Sequence, residues 1–268
     1  MFGLTHRRRQ RLMAQPFPAD WIRIIQQNVP VFHRLSPEDQ RELQGHIQVF
    51  LSEKRFEGCG ELTMTDEIRV TIAAYACILL LHRTTDYYPL LVTILVYPHT
   101  FFVSRYQEGP AGQVLEASQS LVGESWRHGN VVLAWDAVKH CAFDFHDGHN
   151  VVFHEFAHQL DEEDGVADGA PLLPRRAMYG AWARILGQDY AKLVQEVEEG
   201  RPSFLDQYGA TNPAEFFAVA TEAFFESPVR LRTQHPQLYT ELMLYYQQDP
   251  AAVSLPTGGL SSPSPPQT

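Results

Sequence analysis

Val151-Val-Phe-His-Glu-Phe-Ala-His-Gln-Leu160 decides how this chain is read. It contains His154, Glu155 and His158 in the order HExxH. On a helix, positions i and i+4 share a face about one turn apart, so both imidazoles can reach one zinc ion. Glu155 sits beside the first of them. It can reach a water at the metal without binding the metal, and so can serve as general base. The flanking residues Val152, Phe153, Phe156, Ala157 and Leu160 are apolar, as a ligand-bearing helix needs if its other faces are to be held in a core. With 12 His in the chain, the bare pattern can also arise by chance. The competing reading is an amphipathic helix whose two His make ordinary hydrogen bonds.

Two imidazoles leave a third ligand to find. Asp164 falls six residues after His158, the place used by zincins with an extended motif. That arrangement needs a Gly three residues after the second His to turn the chain back, and this sequence has Asp161 there. The other candidates lie on a later apolar stretch, Pro213 to Phe225. Glu215 stands in its first turn, with Glu222 seven residues on and on the same face. A buried carboxylate needs a partner, and a metal is one; Glu222 can equally be a structural acid or one that hydrogen-bonds beside the site. Asn212 and Glu215 also have the spacing of a capping box, so Glu215 as ligand and Glu215 as helix cap both stay open. Asp161, on the motif helix, can orient a ligand ring or simply end the helix. Tyr208 can donate a hydrogen bond to an oxyanion or be a half-buried loop aromatic.

Around this motif the chain reads as α+β. Helical patterns cover about 20–29, Ser36 onward (N-cap Ser36, Pro37, Asp39), and Thr65 to Leu81, the last apolar nearly all round and therefore central. Short β-branched runs at 90–97, 100–103, 113–115 and 130–135 read as a small, mostly antiparallel sheet. Helical patterns return at about 150–162, 176–199, 213–226 and 234–247. The expected organisation is a loose basic N-terminus over 1–15, one domain over 16–250, and a disordered Pro/Ser-rich tail over 251–268. Within the domain a helical part runs to about 85, the sheet spans 87–136, and the active-site helices span 150–248. Asn130 to Trp135 is either an ordinary strand or an exposed edge that pairs with a substrate backbone.

Composition narrows the function. The formal net charge is -11, with Lys plus Arg 21 against Asp plus Glu 32, which speaks against nucleic acid as a partner. The longest apolar run, Val70 to Leu81, is too short to span a bilayer. The cluster Arg7, Arg8, Arg9 and Arg11 is not followed by an apolar segment, so it does not read as a secretory signal. Three scattered cysteines, Cys59, Cys77 and Cys141, suit a reducing cytoplasm.

His154 to Asp161 together with Tyr208-Gly-Ala-Thr-Asn-Pro-Ala-Glu215 resembles the Mlc titration factor A family. So do Glu53-Lys-Arg-Phe-Glu-Gly58, Thr65-Asp-Glu67, Val70-Thr-Ile-Ala-Ala74 and Val131-Val-Leu-Ala-Trp135. The resemblance leaves out the basic N-terminus and the tail. It implies a cytoplasmic zinc metallopeptidase with aminopeptidase activity and a zincin-like core similar to the anthrax lethal factor protease domain. On the matching positions it implies one Zn2+ per chain held by His154, His158 and Glu215. Glu155 is then the base, and Tyr208 assists in the transition state. The family name also implies a partner besides peptide substrate, the glucose-responsive repressor Mlc. An alternative reading is thus a repressor-sequestering regulator whose zinc site is structural or of minor activity.

Overall fold

The computed structural model describes the backbone at residues 2–108, 114–121, 123–126, 129–143 and 148–252. The chain opens with helix α1 (Phe2–Met13), followed by α2 (Ala19–Asn28) and α3 (Pro37–Glu53). The loose N-terminus expected over 1–15 is corrected here, since residues 2–13 form α1. Arg9 donates to both carboxylate oxygens of Glu53 (2.9 Å each) and to Asp86 (2.6 Å), and it lies over the Tyr87 ring. These acids stand 44 and 77 residues away in the chain, so no local pattern reveals them. Helix α3 starts as its sequence dictates: Ser36 Oγ accepts the Asp39 N–H, and Pro37 occupies the first helical position.

Strand β1 (Arg55–Gly58) and helix α4 (Asp66–Ile78) come next. Thr65 caps α4, and every residue from Val70 to Leu81 is fully buried, so the apolar run is the central helix its composition implies. Strands β2 (Thr93–Tyr97), β3 (Phe101–Glu108), β4 (Val114–Leu121), β5 (Gly123–Trp126) and β6 (Asn130–Ala134) follow, then α5 (Trp135–Phe143).

The sheet is not mostly antiparallel, as the short runs and intervening turn residues had suggested. Its strand order is β1-β2-β6-β5; β1 with β2 and β2 with β6 run parallel, with Thr93 opposite both Arg55 and Asn130. Only β5 runs antiparallel, against β6, while β3 and β4 form a separate antiparallel hairpin. Parallel neighbours need a long return path. Helix α4 supplies it between β1 and β2, and the β3–β4 excursion supplies it between β2 and β6. Strand β1 escaped the sequence reading because Arg55, Glu57 and Gly58 on this short edge are exposed. Strand β6 lies between β2 and β5, so it is not an exposed edge.

The remaining helices are α6 (Val151–Asp161), α7 (Tyr179–Glu198), α8 (Pro213–Glu226), α9 (Pro228–Gln234) and α10 (Pro236–Tyr246). The helix expected over about 234–247 is α10, and the short α9 before it, which the sequence reading did not mark, is set off from it at His235, since a residue before proline is pushed out of the helical region. Helix α6 packs against α4 and α8 and meets the sheet at β5 and β6. Ala251, which begins the expected tail, is buried; residues 253–268 lie outside the described residues.

Candidate metal centre

Helix α6 begins at Asn150, whose side-chain oxygen accepts the N–H groups of Val152 and Phe153 (3.1 Å each). Its apolar faces lock it in place. Phe153 stacks on Phe225 at 4.9 Å between centroids and meets Tyr75 edge-on at 5.3 Å. Phe156 packs against Tyr88 and Phe50. The remaining face carries His154 and His158, partly exposed.

Helix α8 begins with Asn212, which accepts the Glu215 N–H at 3.0 Å, and with Pro213 in its first turn. Asn212 does the capping. The Glu215 carboxylate turns to α6 instead, where Oε2 lies 3.0 Å from His154 Nε2 and 3.2 Å from His158 Nε2. The two Nε2 atoms are 3.2 Å apart. The structure thus gathers His154, His158 and Glu215 into one cluster of donor atoms. A tetrahedral ion with bonds of about 2.0–2.1 Å sets its ligands about 3.3 Å apart, and two imidazoles with one carboxylate are a zinc-type donor set with a position left open. The residues present therefore fit the metal that the motif implies.

The electrostatics follow from crowding acids and imidazoles out of water. Burial disfavours the Glu215 charge, but the hydrogen bonds from His154 and His158 outweigh it and hold the carboxyl at about 2. Burial also disfavours charge on His154, yet Glu222 and Glu215 push its pKa well above the usual imidazole value. Glu155 is 3% exposed, and its Oε2 has no hydrogen-bond partner among the described residues. Burial raises it to about 7, with both imidazoles opposing. Tyr208 lies on the short turn Gln207–Ala210, anchored by Asp206 accepting its N–H at 2.7 Å. Its ring centroid is 6.0 Å from that of His154. Burial, then the carboxylates of Glu215 and Glu155, push its phenol up to about 12, so it is a proton donor at neutral pH.

Other candidates are not brought in. Asp164 is exposed, and its Oδ1 accepts the Val166 N–H. Asp161 orients neither imidazole; it is buried, and its Oδ2 accepts the Gly169 N–H at 2.8 Å. The acid beside one of the two imidazoles is Glu222, whose Oε1 lies 2.7 Å from His154 Nδ1. Its seven-residue offset from Glu215 was the available signal, and it placed both on one face of α8. Among the described residues no helix is long and apolar enough to cross a membrane.

A helix-borne HExxH pair with a distant glutamate is a metallopeptidase arrangement, and the chain belongs to the glucose-regulated metallopeptidase M90 family, whose model matches residues 4–247. The match takes in helix α1, which the sequence resemblance had left outside. The chain is 44% identical over 245 residues to an uncharacterised protein of Synechocystis, covering 91% of this chain and 89% of that protein. It is 35% identical over 226 residues to Mlc titration factor A of Klebsiella pneumoniae, covering 83% and 84%. To the protein of the same name from Pectobacterium atrosepticum it is 33% identical over 229 residues, covering 84% and 85%.

Proposed function

We propose that this chain is a cytoplasmic zinc-dependent peptidase, acting as an aminopeptidase, with one Zn2+ held by His154, His158 and Glu215. The observation that carries the proposal is the convergence of those three donors, all 3.0–3.2 Å apart, beside a buried carboxyl with an unpaired oxygen. Zinc, when bound, polarises the scissile carbonyl and lowers the pKa of water.

The chain's own residues do the rest. Burial raises the proton affinity of Glu155, which suits it to take a proton from the attacking water and pass it to the leaving amine. The Tyr208 phenol, protonated at neutral pH, donates to the tetrahedral oxyanion. Glu222 holds the His154 ring by its Nδ1.

Glu155→Gln tests the base. We expect turnover on amino-acid amides and peptides to fall by at least about a hundredfold, while metal analysis still finds one zinc per chain. Retained activity rejects the assignment. The same panel, with internal peptides added, separates aminopeptidase from endopeptidase action.

A second reading is favoured by the relatives named Mlc titration factor A. In it the chain binds a transcriptional repressor of the Mlc kind, and the zinc site is structural or of minor activity. Chelation separates the two, because peptide cleavage is lost with zinc and restored by it, whereas repressor binding survives metal removal.

A further inference from the structure

The turn that follows α4 sets an imidazole against two acids of α3. Asp39 and Glu42 are three residues apart and so share a face of α3. His82, 40 residues beyond Glu42 in the chain, faces both. Its Nε2 lies 3.1 Å from Asp39 Oδ1, and its Nδ1 lies 3.4 Å from Glu42 Oε2. One donor atom from each of the three residues falls within 4.8 Å of the others. Other atoms hold this arrangement. Ser36 Oγ accepts the Asp39 N–H at 3.1 Å. Glu42 Oε1 accepts the backbone N–H of His82 at 2.8 Å and lies 3.3 Å from His46 Nε2, which leaves Oε2 to the His82 ring.

Local structure accounts for these acids only in part. Asp39 suits the first turn of a helix, where the dipole favours a negative charge, and Glu42 Oε1 fastens the turn. Neither role requires Asp39 Oδ1 and Glu42 Oε2 to converge on one ring, and like charges this close on a helix repel. A cation between them turns the repulsion into attraction. There is room for one. Asp39 and His82 line a cavity of about 140 Å3 together with Gln247, Gln248 and Asp249, enough for several waters beside an ion. Arg34 borders it too, with Nη2 turned to the Phe225 carbonyl at 2.8 Å. One imidazole nitrogen and two carboxylate oxygens, completed by water, are a donor set for a first-row divalent ion such as zinc. Bonds of about 2.0–2.2 Å keep such ligands within about 4.4 Å of one another, which these partly exposed side chains reach by a small inward turn.

We propose that Asp39, Glu42 and His82 form a second divalent-cation site, of the zinc class, in which the ion staples the start of α3 to the turn after α4. The site stands apart from His154, His158 and Glu215 and does not rest on their reading. With a single imidazole and open sides it grips the ion less tightly than two imidazoles and a glutamate do, so it fills second and empties on dialysis.

The test uses the full chain, stripped of metal and titrated with zinc against a chromophoric chelator. We expect the wild type to take up two equivalents, the second more weakly. His82→Asn keeps a residue that tolerates the left-handed backbone at this position (φ +63). Glu42→Gln keeps an acceptor for the His82 N–H. Each variant, and the two combined, should therefore fold with wild-type helix content; the combination should bind the first equivalent and lose the second. His154→Ala/His158→Ala should lose the first and keep the second. A wild type that saturates at one equivalent, lost in His154→Ala/His158→Ala, overturns the proposal. So does a second equivalent that persists in the His82→Asn/Glu42→Gln chain, which is an adventitious ion only. A single equivalent that survives His154→Ala/His158→Ala and disappears in His82→Asn/Glu42→Gln supports this site and strikes at the catalytic one instead.

Discussion

At the scale of single residues, what matters is the state in which each polar group is held. Tyr208 is half exposed (47%), so removing its hydroxyl disturbs little packing. The donor role proposed for it is then separable: Tyr208→Phe should lower kcat about 10–1,000-fold with KM nearly unchanged, since an oxyanion donor acts in the transition state. A variant with wild-type kcat removes Tyr208 from the mechanism. Asp161 shows the opposite situation. Burial raises it from 3.8 to about 6, so the native state binds its proton more tightly than the unfolded chain does. Its contribution to stability is complete below the unfolded pKa and is lost as pH rises through about 6. Asp161→Asn keeps an acceptor for Gly169 and has nothing to titrate. In chelator, we expect the stability of Asp161→Asn relative to wild type to be greater at pH 7.5 than at pH 4 by about 2 kcal/mol. Denaturant unfolding at both values checks it, and a pH-independent difference refutes the assignment.

At the scale of elements, two helix starts and one loop aim the cluster. Asp161 holds the Gly169 N–H, and Trp182 donates to the Gly169 carbonyl at 3.0 Å. Gly169 itself has φ +77, and a Cβ there would come within 2.4 Å of the Pro213 carbonyl oxygen. The loop therefore lies directly on the first turn of α8, the turn that carries Glu215. Gly169→Ala should cost about 2 kcal/mol or more, because both the backbone conformation and the space exclude a methyl group. Zinc affinity should fall with it; a variant with the parent's melting temperature shows that the contact is dispensable. Much at this scale was legible in the sequence. Ser36, Thr65 and Asn212 mark helix starts by local chemistry, and the aromatic and small residues of 213–225 mark a buried helix. The strand pairing was not legible, because Thr93 to Tyr97 and Asn130 to Ala134 look alike whether they run parallel or antiparallel. The hold of Asp161 on the Gly169 loop was not legible for a related reason: Gly169 sits in a loop that no periodicity marks. His154 and His158 were readable through their motif and Glu215 only through the family resemblance, whereas the Glu222–Asn150 link needed the distance between two helices that only folding sets.

At the scale of the whole molecule, the question is whether the metal builds the fold or is received by it. His154 and Glu215 lie 61 residues apart in the chain, so an ion between them would act as a cross-link between α6 and α8. The two helices are already joined without it. Phe153 stacks on Phe225, Asn150 bonds both Glu222 and Glu226, and α6 also packs on the buried α4. The donors sit at the rim of this core, partly exposed, while a large cluster of buried apolar residues packs these helices together without them. Metal removal should therefore leave the helix content intact and only lower stability. Ligand linkage sets the size: free zinc at a thousandfold above its Kd adds about 4 kcal/mol, which for a chain of this length is a rise of several degrees in Tm. Far-UV circular dichroism with and without chelator, together with thermal melts across a zinc titration, checks both halves of the expectation. Collapse of the helical signal in chelator would show that the ion is part of the core. A melting temperature indifferent to zinc would show that the three donors do not hold it.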